Sequence, residues 1–519
     1  MSNGAAATLV GLDVGSTSIK AVLVVPGSGA VHVARRATLT YAVPATAGSG
    51  AFHRPEELLA AAESAIAECV AAAGSLGLAR PSAVGIASMA EAGVPLDAAG
   101  RPIGDIVAWF DTRPAPQAAW LADRVGPAAL FARTGLRPEP KYTLPKLLWL
   151  RAERPGEFAG MRRWAGVAEL VAHDLTGELA TNASLACRTA AFDVAARRWD
   201  AELLGLCGIG EEQMPRVLPL GVAAGGLTAA AAARLGLPAG TPVAVAGHDH
   251  LAGALGAGVT RPGDVLDSMG SAEVAMLVTR GPALTDELRG AGFSCGCHAL
   301  DGLNYVAGGL QASGALVEWF IERYLATAGR SPASAGRDRY AEFMSLLERA
   351  GEEPAEPTVL PYLRGRTAPH RDNNATFRID GSPAPDPGDM DMDCLPEFAA
   401  AVVDGAAFHV RWMIDELERI SGVVPDLVRV IGGGTRNPRW LVAKAALGPG
   451  RFELARTDEA AALGAALVAG VAGGVYGSVE SALADAAPSE AIPVSDEARV
   501  RYGAAFRARW LPAVRATFR

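Results

Sequence analysis

Two stretches half a chain apart carry the same pattern, and that pattern narrows the folds open to this sequence more than any other feature. Val10 to Val24 reads VGLDVGSTSIKAVLV, and Val265 to Val278 reads VLDSMGSAEVAMLV. In each, an apolar run meets a small polar turn and returns as a second apolar run of β-branched residues, the signature of a hairpin. Gly270-Ser271 falls where Gly15-Ser16 falls in the first copy. The echo predicts two lobes of similar topology, each offering a small-residue turn to a shared cleft.

The 519 residues exceed what one hydrophobic core can organise, so two large lobes are expected, 1–255 and 256–519, meeting near Gly256 to Pro262. Alanine-rich helical stretches such as Glu56 to Ala73 alternate with short apolar strands such as Val84 to Ala87 and Val243 to Ala246, which predicts an α/β fold. Asp380 to Pro396, with its run Asp389-Met-Asp-Met-Asp393, reads as a solvated loop. A calcium loop starting at Asp389 would need glycine and glutamate where Cys394 and Ala400 stand.

Half the residues are hydrophobic and a fifth charged, the balance of a folded chain. A formal net charge of -9 argues against nucleic acid or an anionic membrane as partner. The six cysteines form no disulfide framework, and Cys295-Gly-Cys297 lacks a second ligand pair for zinc, so a reducing cytoplasm is the expected setting. The start, MSNGAAATLVGLDVG, has no basic segment before its apolar run and carries Asp13 just inside it, unlike a secretory signal. No uncharged apolar run is long enough to span a bilayer.

Phosphoryl transfer is catalysed mainly by positioning and charge stabilisation, so it needs backbone N–H donors near the phosphates and a carboxylate for Mg²⁺. Asp13-Val-Gly-Ser-Thr17 offers both: Gly15 permits close approach, Ser16 and Thr17 bring hydroxyls and amides, and Lys20 can neutralise charge on the transferred group. Neither a Walker A loop nor a Rossmann glycine fingerprint is present. On its own such a turn is what any tight hairpin prefers.

Further motifs follow in order. Gly85 to Asp97 reads GIASMAEAGVPLD, and Trp109-Phe-Asp111-Thr-Arg113 comes next. Thr134-Gly135, Pro145 to Leu150, Leu175 to Glu178 and Thr181-Asn182 lead to Ala246-Gly-His-Asp249-His250-Leu-Ala-Gly253. After Gly270-Ser271 stand Ala312 to Trp319, Tyr362 to Pro369, Ile431 to Pro438 and Asp458 to Ala466. Together these resemble the FGGY family of carbohydrate kinases across nearly the whole chain.

The resemblance implies a two-lobed, actin-like (ribonuclease H-like) ATPase fold of α/β class, with the active site in the interdomain cleft. It implies ATP as cosubstrate with Mg²⁺, and transfer of the γ-phosphate to a hydroxyl of a small sugar or polyol. Asp249 matches the catalytic general base, with Asp13 and Asp249 toward the metal. Asp13, Gly15, Ser16, Thr17, Lys20, Gly270, Ser271, Gly314, Glu318, Gly433, Gly434 and Asn437 fall on the ATP side. Glu91, Trp109, Asp111, Arg113, Asp249 and His250 fall on the acceptor side, Lys141 being a weaker candidate there. Arg364 and Arg366 read as structural.

The acceptor pattern is mixed. Glycerol kinases carry arginine where Ala90 stands, with the glutamate retained as Glu91. Xylulose kinases carry methionine and histidine at Ala90 and Glu91, and asparagine at His250. His248-Asp249 is similar to relatives acting on fuculose or rhamnulose, so a ketopentose or deoxy-ketohexose is the favoured acceptor. Relatives commonly dimerise, so a homodimer is an expectation of the resemblance. The competing class is a non-metabolic actin-like ATPase with no sugar acceptor; against it stand Trp109, Asp111, Arg113 and Asp249, which ATP hydrolysis alone does not need.

Overall fold

The structure is a computed structural model; it describes residues 7–43, 49–325 and 338–518. The first six residues of the amino-terminal segment read above lie outside the described residues.

Two sheets organise the chain. The strands of the first are β1 (Thr8–Val14), β2 (Ser18–Val25), β3 (Gly29–Ala37), β4 (Pro81–Ser88), β5 (Gly225–Gly226) and β6 (Pro242–His248). Those of the second are β7 (Asp264–Met269), β8 (Glu273–Thr279), β9 (Ser294–Cys297), β10 (Asn304–Leu310), β11 (Leu427–Ile431), β12 (Arg451–Ala455) and β13 (Ser489–Ala491). The first runs in the order β5-β6-β4-β1-β2-β3 and the second β9-β10-β8-β7-β11-β12-β13. In both, an antiparallel hairpin (β1–β2, β7–β8) lies beside a parallel strand reached by a crossover, β4 and β11 respectively. The predicted hairpins are thus present, and β1 and β7, each flanked by its hairpin partner and a parallel strand, are buried along nearly their whole length.

Helix α1 (Pro55–Ser75) places Leu58, Ala62, Ala65, Ile66 and Cys69 on β2 and β3, the i, i+3, i+4 spacing of an amphipathic face. It is the one helix among the described residues long and apolar enough to cross a membrane by length and composition. Four helices bear on the site: α2 (Asp249–Gly256), α3 (Gly314–Phe320), α5 (Pro438–Leu447) and α6 (Ala460–Ala472), with the long α4 (Leu395–Ser421) filling the second core. The segment read as a loop up to Pro396 ends sooner, because α4 starts at Leu395 with proline in its first turn, where the missing N–H costs nothing.

Helix α6 comes from the carboxyl-terminal half yet packs against β1, β4 and β6 of the first sheet and against α2. Its approach requires glycine: a Cβ on Gly11 would sit 1.8 Å from the Ala462 carbonyl oxygen, and one on Gly85 1.9 Å from that of Ala465. Helix and sheet therefore meet backbone to backbone along a seam of alanine and glycine.

Candidate active site

The turn Gly15–Thr17 closes the first hairpin. Gly15 N–H donates to Ser18 O at 3.1 Å, Thr38 Oγ1 donates to Gly15 O at 2.7 Å, and Thr38 N–H donates to Thr17 O at 3.1 Å. Asp13, at the end of β1, is buried and its Oδ1 has no hydrogen-bond partner. Burial, with the neighbouring Asp249 carboxylate next in weight, pushes its carboxyl up to about 7. A buried carboxylate oxygen without a donor, beside a second carboxylate, is the environment a hard divalent cation relieves. Asp13 and Asp249 thus fit Mg²⁺. Lys20, opposite Asp13 across the hairpin, pairs instead with Glu459 at 3.1 Å, which also accepts from Arg35 Nε at 3.1 Å. The cation read as a phosphate neutraliser is thereby tethered at the entrance to α6.

The second turn is exposed at Gly270 and Ser271. Gly314 N–H donates to Gly270 O at 3.0 Å, while the N–H groups of Ser313 and Ala315 donate to Ser271 O at 2.9 and 3.1 Å. The first amides of α3 are spent on the turn, and a Cβ on Gly314 would lie 2.7 Å from Gly270 O. Gly314 therefore seats the turn, and Glu318 faces solvent one helical turn on. Beneath them Lys444 of α5 reaches Asp267 Oδ2 at 2.5 Å and Glu273, and Glu273 accepts from Ser313 Oγ at 2.5 Å, all four buried.

Gly433 and Gly434 open a short 3₁₀ turn, Gly433–Arg436, after β11. Gly432 before it has φ +97°, and a Cβ there would come within 2.6 Å of Met269 O, so the turn lies close against the second hairpin. Asn437 caps α5, accepting from Trp440 N–H at 3.1 Å, while its Nδ2 is buried without a partner. The capping role expected of any such residue is realised, with the amide nitrogen left over.

Asp249 opens α2 at the end of β6. Its Oδ1 lies 3.0 Å from His248 Nε2 and accepts from His250 N–H at 2.6 Å. Burial would raise its carboxyl, but the flanking imidazoles outweigh burial and hold it well below the usual carboxylate range. Burial lowers His250. Ligand atoms of His248, Asp249 and His250 lie within 4.8 Å of one another.

A third sheet of five short strands, including Gly93–Leu96 and Ile106–Val107, adjoins the residues read above as the acceptor side. Glu91, just before it, sits at φ +65°, a left-handed conformation rare for a side chain of its size. Lys146, wholly buried, donates from Nζ to the Glu91 carbonyl at 2.6 Å and holds that backbone. Arg188 donates from Nε at 2.8 Å and Nη2 at 2.5 Å to Glu91 Oε1. Burial raises the Glu91 carboxyl, and Arg188 with Lys141 more than offsets it, so the group is shifted down. Trp109 is 38% exposed, edge-on to Phe110. Asp111 is 1% exposed: its oxygens take Arg113 Nη2 at 2.6 Å, Nε at 2.9 Å and Ala51 N–H at 3.2 Å. Arg113 in turn stacks on Trp149 at 4.4 Å. Asp111 and Arg113 are fastened to each other, while Trp109, like its neighbours Phe110 and Thr112, is exposed.

Both groups of residues lie near Asp249. Asp13 is within electrostatic reach of Asp249, Lys20, Glu459 and His248, and His250 is within reach of Asp249, Glu91 and Arg188. Sequence reasoning missed Arg188, Lys146 and Glu459. Lys146 lay in a segment read as framework and Arg188 in none of the motifs, and only their burial reveals them.

The model of the N-terminal domain of the FGGY family of carbohydrate kinases matches residues 8–256, and that of the C-terminal domain matches residues 267–473. The chain belongs to the FGGY family of carbohydrate kinases. Among its relatives is the xylulose kinase of Escherichia coli (strain K12), 28% identical over 435 residues, 83% of each chain. A gluconokinase of Bacillus licheniformis is 24% identical over 364 residues, 70% of this chain and 68% of that one. The crystal structure of a xylulose kinase from Rhodospirillum rubrum superposes with a TM-score of 0.83 at 25% identity, covering 98% of each chain. The chain is thus a carbohydrate kinase with the two-lobed actin-like fold, taking ATP as cosubstrate and an alcohol group of a small sugar or polyol as acceptor.

Proposed function

We propose that this kinase phosphorylates a ketopentose or deoxy-ketohexose, with Asp249 as the general base and Mg²⁺ held by Asp13 and Asp249. The observation that carries the reading is the position of Asp249, between the orphaned Asp13 oxygen on the phosphate side and the His250, Glu91 and Arg188 group on the acceptor side. With lobes of 1–255 and 256–519, the turns at Gly15–Thr17 and Gly270–Ser271 would flank the transferred group, and Gly433, Gly434 and Asn437 the adenosine. A cation bound at Asp13 would offset charge growing on the phosphates.

Asp249 is ionised at neutral pH, so it can accept the acceptor hydroxyl's proton as that oxygen attacks the γ-phosphorus. Its depressed proton affinity suits a loose transition state, in which the attacking oxygen needs alignment more than strong activation. Glu91 and His250 are placed to bind acceptor hydroxyls, with Trp109 as an aromatic face at the mouth.

ADP release with Mg-ATP, measured against ketopentoses, deoxy-ketohexoses, aldonic acids and polyols, tests the reading. One neutral ketose should stimulate release, and Asp249→Ala should lower its kcat by about 10²- to 10⁴-fold with the KM for ATP nearly unchanged. Hydrolysis that no sugar stimulates would instead support an ATPase without a sugar acceptor. Undiminished turnover in the variant would remove Asp249 from the role of base.

A further inference from the structure

We infer that Arg188 is an acceptor-positioning residue: it aims Glu91 at the acceptor and ties that carboxylate to the second lobe. The inference rests on the kinase reading above and goes beyond it in naming how the acceptor is registered.

Arg188 belongs to the short turn Cys187–Thr189, with its side chain only 10% exposed. Both of its bonds to Glu91 land on one oxygen, Oε1. Among the described residues Oε2 accepts no hydrogen bond, so half of an ionised, nearly buried carboxylate remains available to a hydroxyl. A carboxylate is costly to bury unless its lone pairs are met. With Oε1 saturated by a rigid fork and the backbone fixed by Lys146, Glu91 has one free acceptor in one orientation.

The remaining arm of Arg188 leaves its own lobe. Nη1 approaches Tyr305 Oη on β10 at 3.4 Å. The adjacent Cys187 Sγ accepts from Cys297 N–H on β9 at 3.3 Å, and Gly135 O accepts from Cys295 N–H at 3.0 Å. The guanidinium therefore stands where the acceptor side of one lobe touches the sheet that carries the second phosphate turn. An acceptor hydroxyl bound by Glu91 would be felt at that contact through one planar, always charged group, a geometry that lysine cannot reproduce.

The test is steady-state kinetics on the full chain with the best acceptor of the panel. Arg188→Met should raise the acceptor KM about 10- to 100-fold, the loss expected for charge-assisted hydrogen bonds, while the ATP KM moves less than about twofold. Arg188→Lys should keep the charge but recover only part of the acceptor KM. Glu91→Gln combined with Arg188→Met should be no worse than the poorer single variant, since both remove one unit.

Unchanged acceptor KM, equal losses for ATP and acceptor, or additive losses in the double variant would each overturn the inference. Should Arg188→Met not fold, Arg188→Lys and the conservative Tyr305→Phe decide it. Tyr305→Phe should spare the acceptor KM yet raise acceptor-independent ATP hydrolysis, and a variant indistinguishable from wild type would sink the link between the lobes. If no sugar stimulates the wild-type chain, the kinase reading fails first, and that outcome is distinct from variants that behave normally with a working acceptor.

Discussion

Lys146 illustrates how a single residue can be costly to the fold and still be retained. Its ammonium is wholly buried with one backbone carbonyl as partner, and burial, only partly offset by Glu91 and Asp111, pulls it down to about 7. The unfolded chain holds that proton up to the ordinary lysine value, so between about pH 7 and 10 it binds more protons than the folded chain. Stability should therefore rise with pH across that window on account of this group, and level off below it. In Lys146→Met the pH-dependent gain in Tm between pH 7 and 10 should shrink relative to wild type, a difference read by thermal unfolding at matched ionic strength; equal slopes would remove Lys146 as its source. The same variant frees the left-handed backbone of Glu91, so the acceptor KM should rise with it. Asp13, Asp249 and Glu91 were legible in the sequence because a carboxylate beside a glycine-rich turn, or in a family motif, is conspicuous. Lys146 and Arg188 were not, because a lysine in a helix and an arginine in a turn read as solvated until burial is known.

Elements were easier to foresee than their ends. The apolar runs of β1 and β2 on either side of a small polar turn mark a hairpin, the 3.6-residue period of α1 marks a helix, and the repeated turn pointed to a second hairpin. The seam between α6 and the first sheet was invisible, since ALGAALVAGVA is equally the pattern of any buried helix. Close backbone approach explains its composition, and two glycines separate that cause from ordinary helix propensity. Gly85→Ala would bring a methyl group onto the Ala465 carbonyl and should cost about 1–3 kcal/mol or more, because neither partner is a flexible side chain. Gly74→Ala, exposed in the last turn of α1 with nothing within 4 Å of the new Cβ, should stabilise by about 0.5–1 kcal/mol. Chemical denaturation of the two variants checks both signs; a neutral Gly85→Ala would mean that the helix can slide away from the sheet.

At the scale of the molecule, the match to two family domains suggests two units that could fold alone, and the packing argues otherwise. Leu9, Val22, Val24 and Ala83 of the first sheet form a cluster with Ala462, Leu463, Ala466 and Ala469 of α6, so one face of the amino-terminal sheet is covered by a helix encoded some two hundred residues after that domain's match ends at 256. Glu459 at the head of the same helix binds Lys20 of β2 and Arg35 of β3. A fragment of residues 7–262 would expose that apolar face beside a glycine seam made to receive backbone, and large unpartnered apolar faces lead to association. Expressed alone, it should aggregate or bind a hydrophobic dye with weak near-ultraviolet dichroism. Expressed together with residues 263–518 it should be recovered as a complex, and the intact chain should unfold in one calorimetric transition. A monomeric, dye-silent fragment with a sharp transition of its own would show that α6 merely rests on the first lobe. Because α6 packs both on the first sheet and on α2, it couples the two halves of the chain, and the proposed closure on the acceptor would have to turn about this shared helix rather than separate it from the sheet.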